Sequence, residues 1–198
     1  QVEHPVTEMI TGVDLVVQQI RVACGEKLEY NQEDIKAIGH AVEVRLYAED
    51  ATKGFLPQAG TLHKMCAENV QDVRNDSGVT EGDSISPFYD PMLAKIIAHG
   101  STRDEAINTL TEALKATRIA GLVTNKAYLS DILASDHFTR ARTRTHTLDT
   151  VKNSPVMCAR EMSMCAGAIL VADACTRFAI PALAGWRTGH DSYQRLTL

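Results

Sequence analysis

The sequence predicts an α+β fold in which a mostly antiparallel sheet is packed against helices. Three observations predict it: a strand of alternating polarity near residues 40–48, a series of short strands broken by Gly and Pro between 54 and 100, and two amphipathic helices between 101 and 135. Short strands in succession, followed rather than separated by helices, are typical of an antiparallel α+β arrangement and not of repeated βαβ units.

Length and composition limit the class of protein. The 198 residues suffice for one full domain and a small second one, and 44% hydrophobic with 23% charged residues is ordinary for a soluble globular chain. The formal net charge of −5 gives no basic field for nucleic acid, and no apolar run approaches the roughly 20 residues of a membrane span. We therefore expect neither a nucleic-acid nor a membrane partner.

The first predicted helix lies in GVDLVVQQIRVACGE, residues 12–26. Its apolar positions recur at helical spacing and predict a surface helix packed along one side. They are Val13, Val16, Val17, Ile20 and Cys24. Thr11 and Asp14 have the spacing of a capping box, and Gly25 is a suitable left-handed stop.

The predicted strand GHAVEVRLYAED, residues 39–50, has two faces. Its apolar face consists of Val42, Val44, Leu46 and Ala48. Glu43, Arg45 and Tyr47 lie on the polar face, where residues two apart are about 6.5–7 Å from each other. The length of MLAKIIAHG, residues 92–100, and its closing Gly100 favour a second long strand.

Two helices are predicted after this strand. In the first, Thr102 and Glu105 have capping-box spacing, and the buried stripe consists of Ile107, Leu110 and Leu114. The second begins at Thr124 or Asn125. Its buried residues are expected to be Tyr128, Leu129, Ile132 and Leu133.

The composition changes near residue 139. Residues 139–153 are polar and basic and predict an exposed linker, whereas residues 154–178 predict a long apolar helix that is followed by a strand, a turn and a second strand. A lone hairpin is marginally stable in water. We therefore expect the chain to end inside its second domain, just as the polar segment at Gln1 indicates that it begins inside its first.

The cysteines predict a reducing environment. They are odd in number and contain no C-x-x-C pair, which favours buried, reduced thiols over a disulfide framework or a metal site. The five positions are Cys24, Cys66, Cys158, Cys165 and Cys175.

Two pairs of residues could carry chemistry. Glu3 and His4 could be an acid–base pair, but neighbours on an extended segment point to opposite sides, so two solvated terminal residues are favoured. Glu43 and Arg45 could form a surface ion pair worth about 0–1 kcal/mol, or a site wall whose guanidinium stabilises an oxyanion. Spacing alone favours the surface ion pair.

The acidic residues of the turns give weaker signals. Glu81, Asp83 and Asp90 lack the spacing of a calcium loop, and turn carboxylates are usually solvated or bonded to nearby backbone. The stretch SGVTEGD does not have the pattern of a phosphate loop. Three isolated histidines are expected to be structural: His40, His63 and His99.

Six stretches, taken in order, resemble the C-terminal part of a biotin carboxylase. They are QVEHPVTEMITGVDLV, GHAVEVRLYAED, GFLPQAGTL, SGVTEGDSISPFYDPMLAKIIAHG, TRDEAI and TNKAYLSDIL, and they extend from Gln1 to about Phe138. The resemblance implies that residues 1–138 are the C-terminal subdomain of an ATP-grasp enzyme whose ATP-grasp half is missing. The chain would then be a fragment that is inactive by itself.

The resemblance also implies roles for matching residues. Glu3 matches a general base that takes the proton from bicarbonate, so that bicarbonate can attack the γ-phosphate of ATP. Arg45 matches the arginine that stabilises the biotin enolate and contributes to the bicarbonate and biotin pocket. Gln1 and Val2 match residues that line this pocket.

The implied cofactors are biotin, ATP and Mg²⁺ or Mn²⁺. The ATP and metal sites would lie mostly in the missing half, with no metal ligand in this fragment. Asp90 belongs to a family signature near the site, and Arg74 matches an arginine near the site or at a dimer contact. Neither residue is assigned a role.

The tail, residues 154–198, is similar to the region after biotin carboxylase in the biotin-bearing α subunits of acyl-CoA carboxylases, the methylcrotonyl-CoA type above all. This implies a linker at 139–153, then a long helix and the first strands of a truncated β-barrel. The implied partners are a carboxyltransferase (β) subunit, a biotinyl carrier domain and bicarbonate, in an oligomer. The compartment would be the mitochondrial matrix, for leucine degradation, or the bacterial cytoplasm.

Two kinds of alternative stay open. One is another carboxylase of the superfamily, acting on propionyl-CoA, acetyl-CoA, pyruvate or urea. The other is a non-catalytic interaction module that uses the helix at 154–178 as a docking surface.

Overall fold

The computed structural model describes residues 3–66 and 70–151, which are built around a three-stranded sheet. The strands of this part are β1 (His40–Tyr47), β2 (Glu49–Asp50), β3 (Leu56–Pro57), β4 (Gly60–Thr61), β5 (Lys64–Cys66), β6 (Val73–Ser77), β7 (Ser84–Ile85), β8 (Met92–Gly100) and β9 (Arg118–Ala120). Its helices are α1 (His4–Thr11), α2 (Leu15–Ala23), α3 (Arg103–Ala116), α4 (Lys126–Ala134) and α5 (Asp136–Thr139). Short 3₁₀ turns lie at Gln32–Asp34, Ala51–Lys53 and Thr147–Thr150.

The central sheet has the strand order β1–β8–β6, and both of its pairings are antiparallel. Three further ladders in the described part, β2–β3, β4–β7 and β5–β9, are antiparallel as well. The two predicted long strands form and pair with each other from His40 opposite Gly100 to Tyr47 opposite Met92. The predicted α+β class with a mostly antiparallel sheet is confirmed.

The main core lies between one face of this sheet and the helices α3 and α4. The buried residues that form it are Val42, Val44, Ile96, Ala98, Ala106, Ile107, Leu110, Ala113, Leu114 and Leu133. Full burial of each large aliphatic side chain contributes about 1.5–3 kcal/mol. The apolar faces predicted for the strand at 40–48 and for the helix after Thr102 are therefore the faces that form the core.

The opposite face of the sheet carries charged residues, and two of them, Arg45 and Arg74, form ion pairs with residues of the first helical segment, Glu3 and Glu8. In the strand register, Arg45 of β1 and Asp76 of β6 both lie opposite Lys95 of the central strand β8. Two residues further along β8, Ile97 lies between Glu43 of β1 and Arg74 of β6. Side chains two residues apart on a strand share a face, so the register gathers these charged groups together.

Helix α1 corrects the expectation of an extended, solvated start. It begins at His4 with Pro5 in its first turn, and it ends where Gly12 adopts a left-handed conformation with φ of 72°. Pro at the start and Gly after the end of a helix are the signals that could have predicted it. Glu3 is the N-cap residue and keeps an extended backbone conformation, whereas His4 lies inside the helix.

Helix α2 departs from prediction in two ways. Asp14 itself is the N-cap, with Oδ1 accepting from the Val17 N–H at 2.8 Å, so Thr11 and Asp14 do not form a capping box. The apolar stripe is not buried, since Ile20 is 60% exposed and none of the α2 residues is buried in the described part of the chain. Gly25 follows with a φ of 86°, as predicted.

The caps of α3 and α4 agree in part with prediction. The Thr102 hydroxyl accepts from the Glu105 N–H at 3.2 Å, but the Glu105 carboxylate binds the Ser101 N–H and hydroxyl and does not complete a capping box. Asn125 is the N-cap of α4, one of the two predicted starts. Of the predicted apolar residues of α4, Tyr128 and Leu133 are buried, whereas Leu129 and Ile132 are half-buried.

Most of residues 140–151 are exposed, and one of them is buried. Thr147 is buried, and the Tyr128 hydroxyl donates to the Leu148 carbonyl at 3.4 Å. The helix predicted at 154–178, the strands predicted after it and the three cysteines in that region lie outside the described residues. No helix within 3–66 and 70–151 is long and apolar enough to cross a membrane.

The two cysteines in the described part are free thiols. Cys24 is exposed and Cys66 is half-buried. The expectation of buried thiols is wrong for Cys24, because the stripe of α2 to which it was assigned is not covered by described residues.

Candidate active site

Glu3 and Arg45 meet where the start of α1 approaches β1. The Arg45 Nη2 group donates to both carboxylate oxygens of Glu3, at 2.7 Å for Oε1 and 2.8 Å for Oε2. The two side chains are 45% and 50% exposed, for Arg45 and Glu3 respectively, so substrate-sized molecules can reach them. The fold thus brings together two residues that are 42 positions apart in the sequence.

The ion pair fixes the charge of both groups. The hydrogen bond from Arg45 lowers the pKa of Glu3, and the same hydrogen bond raises the pKa of Arg45. Both residues are therefore charged at neutral pH. An ion pair this exposed contributes only about 0–1 kcal/mol to stability. The pair is more important for its chemistry than for stability. The carboxylate can accept a proton, and the guanidinium can stabilise an oxyanion.

Glu43 is a buried member of the same site. Its side chain is only 5% exposed, and its Oε1 lies 3.7 Å from Nε of Arg45, too far for a hydrogen bond. Among the described residues, its Oε2 has no hydrogen-bond partner. Burial is the main cause that raises the pKa of Glu43. The surface ion pair favoured from spacing is therefore wrong in one respect, because the carboxylate is buried.

Arg74 connects α1 to the edge strand β6. Its Nη1 donates to Glu8 Oε2 at 2.6 Å, and its Nε and Nη2 form a bidentate contact with Asp76, at 2.8 Å each. The other oxygen of the buried Glu8 accepts from the Leu15 N–H at 2.9 Å. These two carboxylates raise the pKa of Arg74, with Asp76 the larger cause. These contacts hold helix α1 in place, and Glu3 is the N-cap residue of that helix.

Asn125 holds the end of β1 from the other side. Its Oδ1 accepts from the Tyr47 N–H at 2.9 Å, and its Nδ2 donates to the Arg45 carbonyl at 3.1 Å. The buried amide thereby fixes the backbone that carries Arg45. The sequence indicated Asn125 only as a helix cap, and it carried no signal for the contacts to β1. Glu8 was also missed, since α1 was not predicted.

A pocket of ≈ 310 Å³ lies beside the Glu3–Arg45 pair. Its lining includes His4, Asp76, Met92 and Lys95, and His4 directly follows Glu3 in the chain. The positive charge of Lys95 contributes to the lowered pKa of Glu3. The pocket therefore has one cation, Lys95, and one carboxylate, Asp76, in its lining, and His4 connects it to the neighbouring Glu3.

The remaining predicted site residues lie elsewhere. Gln1 and Val2 are outside the described residues. Asp90 accepts from the Met92 N–H at 2.8 Å and Asp83 accepts from the Thr80 N–H at 2.7 Å, which confirms that these turn acids bond nearby backbone. Asp90 also contributes, after burial, to the raised pKa of Glu49.

Metal ligands are a separate question. Within residues 3–66 and 70–151, no group of three or more His, Cys, Asp or Glu side chains is placed to hold a metal ion. No chemical step is therefore assigned here to a metal held by the described residues.

Comparison with protein families agrees with this fold and site. The family model for the biotin carboxylase C-terminal domain matches residues 43–150, which contain Arg45, part of β1 and all of β2 to β9. The model for the ATP-binding domain of the carbamoyl-phosphate synthase L chain matches residues 1–31, which contain Glu3. The candidate site thus takes Glu3 from one match and Arg45 from the other. The chain belongs to the biotin carboxylase family.

Curated relatives of several carboxylases match at similar identity. The chain is 45% identical over 154 residues to the mitochondrial methylcrotonoyl-CoA carboxylase subunit alpha of Oryza sativa subsp. japonica, and 48% identical over 138 residues to biotin carboxylase 2 of Bacillus subtilis. These matches cover 77% and 70% of this chain but only 21% and 31% of the relatives. Urea amidolyase of Saccharomyces cerevisiae is 43% identical over 155 residues, covering 78% of this chain and 8% of that protein. The particular type of carboxylase is therefore not distinguished by identity.

A solved structure shares the fold. The biotin carboxylase domain of Hydrogenobacter thermophilus 2-oxoglutarate carboxylase, a dimer in complex with MgADP, ADP and bicarbonate, has a TM-score of 0.73 and 40% identity. The match covers 75% of this chain and 33% of that one. The similarity supports both the antiparallel α+β architecture and the family assignment.

Proposed function

We propose that the complete protein containing this chain carboxylates biotin with bicarbonate and ATP. The observation that carries the proposal is the contact of Glu3 with Arg45 at 2.7 and 2.8 Å. It places an ionised carboxylate and a permanent cation at one accessible position in a chain of the biotin carboxylase family. The chain spans less than a third of the two relatives described first, so the activity belongs to a longer protein.

Glu3 and Arg45 have complementary roles in this proposal. The Glu3 carboxylate takes the proton from bicarbonate, which then attacks the γ-phosphate of ATP, and its lowered pKa keeps it ionised at neutral pH. Arg45 stabilises the negative charge on the enolate oxygen of biotin. Gln1 and Val2 line the pocket for bicarbonate and biotin. ATP and Mg²⁺ or Mn²⁺ would be held mostly by the part of the protein that precedes these residues.

The reaction requires the ion pair to open. Nη2 of Arg45 donates to both oxygens of Glu3, so a substrate that binds Nη2 has to displace Glu3, whereas Glu3 does not engage the Nε or Nη1 groups. Separation of an ion pair this exposed costs about 0–1 kcal/mol, which a charged substrate can offset. The geometry is therefore compatible with a site that opens as substrate binds.

For the acyl substrate we propose 3-methylcrotonoyl-CoA, with a carboxyltransferase β subunit and a biotinyl carrier domain as partners in an oligomer. The resemblance of residues 154–198 to α subunits of this type supports the choice, and the rice α subunit is one of several relatives of similar identity. On this proposal the compartment is the mitochondrial matrix or the bacterial cytoplasm. Domain boundaries at 1–138, 139–153 and 154–198 belong to the same proposal.

The test begins with the native gene product from its source. Its intact mass and a streptavidin blot are expected to show a biotinylated protein several-fold heavier than 21.6 kDa. Purified, it should cleave ATP in a bicarbonate-dependent manner and, with its partner subunit, carboxylate 3-methylcrotonoyl-CoA faster than propionyl-CoA, acetyl-CoA, pyruvate or urea. The 198-residue chain alone is expected to be inactive and serves as a control.

Two results would contradict these proposals separately. An unbiotinylated native protein of 21.6 kDa would contradict the carboxylase and favour the interaction module. Preference for another substrate would contradict only the methylcrotonoyl-CoA assignment.

A further inference from the structure

Glu43 is a buried carboxyl group to which the proposed reaction gives no role. Only 5% of its side chain is exposed, and within the described residues its Oε2 accepts no hydrogen bond. An unsatisfied buried carboxyl oxygen is destabilising. Its position beside Arg45, the cation of the candidate site, offers a functional reason for this cost.

We propose that Glu43 is a positioning residue for Arg45, which receives the guanidinium when the Glu3 carboxylate takes up a proton and releases it. The inference rests on the proposed function, in which Glu3 is the base. It deepens that function by explaining how Arg45 becomes available for the biotin enolate after the first half of the reaction.

The two carboxyl groups face different N–H groups of one guanidinium. Glu3 occupies Nη2 with both oxygens, whereas Glu43 lies 3.7 Å from Nε. A movement of about 1 Å would convert this approach into a charge-assisted hydrogen bond. Because a guanidinium has five N–H donors in a rigid plane, Arg45 can bind Glu43 through Nε while Nη2 turns to an oxyanion.

The exchange keeps the site close to charge balance. The proton passes from the O–H group of bicarbonate to a carboxylate oxygen of Glu3, and the electron pair of the broken O–H bond stays on bicarbonate. Glu3 is then neutral, and Glu43 becomes the nearest carboxylate for Arg45. The other charged or titratable groups that act on Glu43 are Lys95 of β8 and His4 of α1, and Lys95 favours its ionised form.

The test compares four forms of the complete protein: wild type, Glu43→Gln, Glu43→Asp and the control Glu112→Gln. Glu112 is an exposed carboxylate of α3 that pairs with Lys115, so its change removes the same charge far from the site. Bicarbonate-dependent ATP cleavage is measured without biotin and with free biotin, between about pH 6 and pH 9, to give kcat and KM for biotin. Melting temperatures report whether each form folds.

E43Q is expected to lower the biotin-stimulated kcat about 10-fold to 100-fold, because Arg45 loses its second anchor and is no longer oriented. Biotin-independent ATP cleavage should lose less than the biotin-stimulated rate, and the acid limb of the biotin-dependent pH profile should move. E43D, which keeps the charge, should recover part of the rate, and E112Q should match wild type.

An E43Q protein that keeps the wild-type biotin kinetics and pH profile would overturn the inference, as would an equal loss of both activities. If E43Q does not fold, E43D is the variant that tests the inference. An acid limb of its biotin-dependent pH profile that coincides with that of wild type would overturn the inference. A wild-type protein without bicarbonate-dependent ATP cleavage would instead contradict the proposed function itself, and the inference with it.

Discussion

The two carboxyl groups beside Arg45 lie in opposite electrostatic environments. The hydrogen bonds from Arg45 lower the pKa of Glu3 at the accessible side of the site, while burial raises the pKa of Glu43 beneath it. Opposite shifts in neighbouring carboxyl groups are typical of sites that separate acid and base roles. The period-2 pattern predicted that Glu43 and Arg45 share a face. It could not predict the burial of Glu43, which requires knowledge of what lies above the sheet.

The raised pKa of Glu43 predicts a pH-dependent stability. The folded protein holds the proton of Glu43 more tightly than the unfolded chain, so the stabilisation is complete below the ordinary glutamate pKa and is lost as pH rises through the folded value. We therefore expect E43Q to become more stable relative to wild type as pH rises from about 4 to 8. Urea denaturation at a series of pH values measures this difference. A difference that does not change with pH would show that Glu43 has no raised pKa.

At the scale of secondary structure, α1 is the element that assembles the site and the one that sequence reasoning missed. Its eight residues lack a long apolar stripe, and its position depends on the contact of Glu8 with Arg74 across the sheet. By contrast β1, β8 and α3 were predicted, because their polarity follows a single period over many residues. The exposed stripe of α2 shows the limit of that approach, since periodicity indicates an apolar face but not what covers it.

The clamp on α1 predicts a strong effect of Arg74→Met. The substitution leaves the buried Glu8 carboxylate without its cation, which should cost about 2–3 kcal/mol of unfolding free energy. Lys64→Met is the control, because the Lys64–Glu81 pair is exposed on both sides and should contribute much less to stability. Urea denaturation of both variants gives the comparison. Equal destabilisation would mean that the clamp does not hold α1.

At the scale of the whole molecule, the candidate site draws its residues from both of the matched families. The two family matches meet between residues 31 and 43, and Glu3 and Arg45 lie on opposite sides of that boundary. Residue patterns alone predicted the fold class. For the candidate site they predicted only a solvated terminus and a surface ion pair. The family resemblance supplied the roles, and the structure supplied the contact across 42 residues that makes those roles physically compatible.

The most direct measurement of the central claim is the activity of Glu3→Gln and Arg45→Gln in the complete protein, with E112Q as the control. We expect E3Q to lose about 100-fold or more of bicarbonate-dependent ATP cleavage, because the proton acceptor is gone. R45Q should lose about 100-fold or more of biotin carboxylation while keeping a larger share of ATP cleavage, because its charge acts on the enolate. If both variants carboxylate biotin at rates within a few-fold of E112Q, the Glu3–Arg45 pair is not the catalytic site.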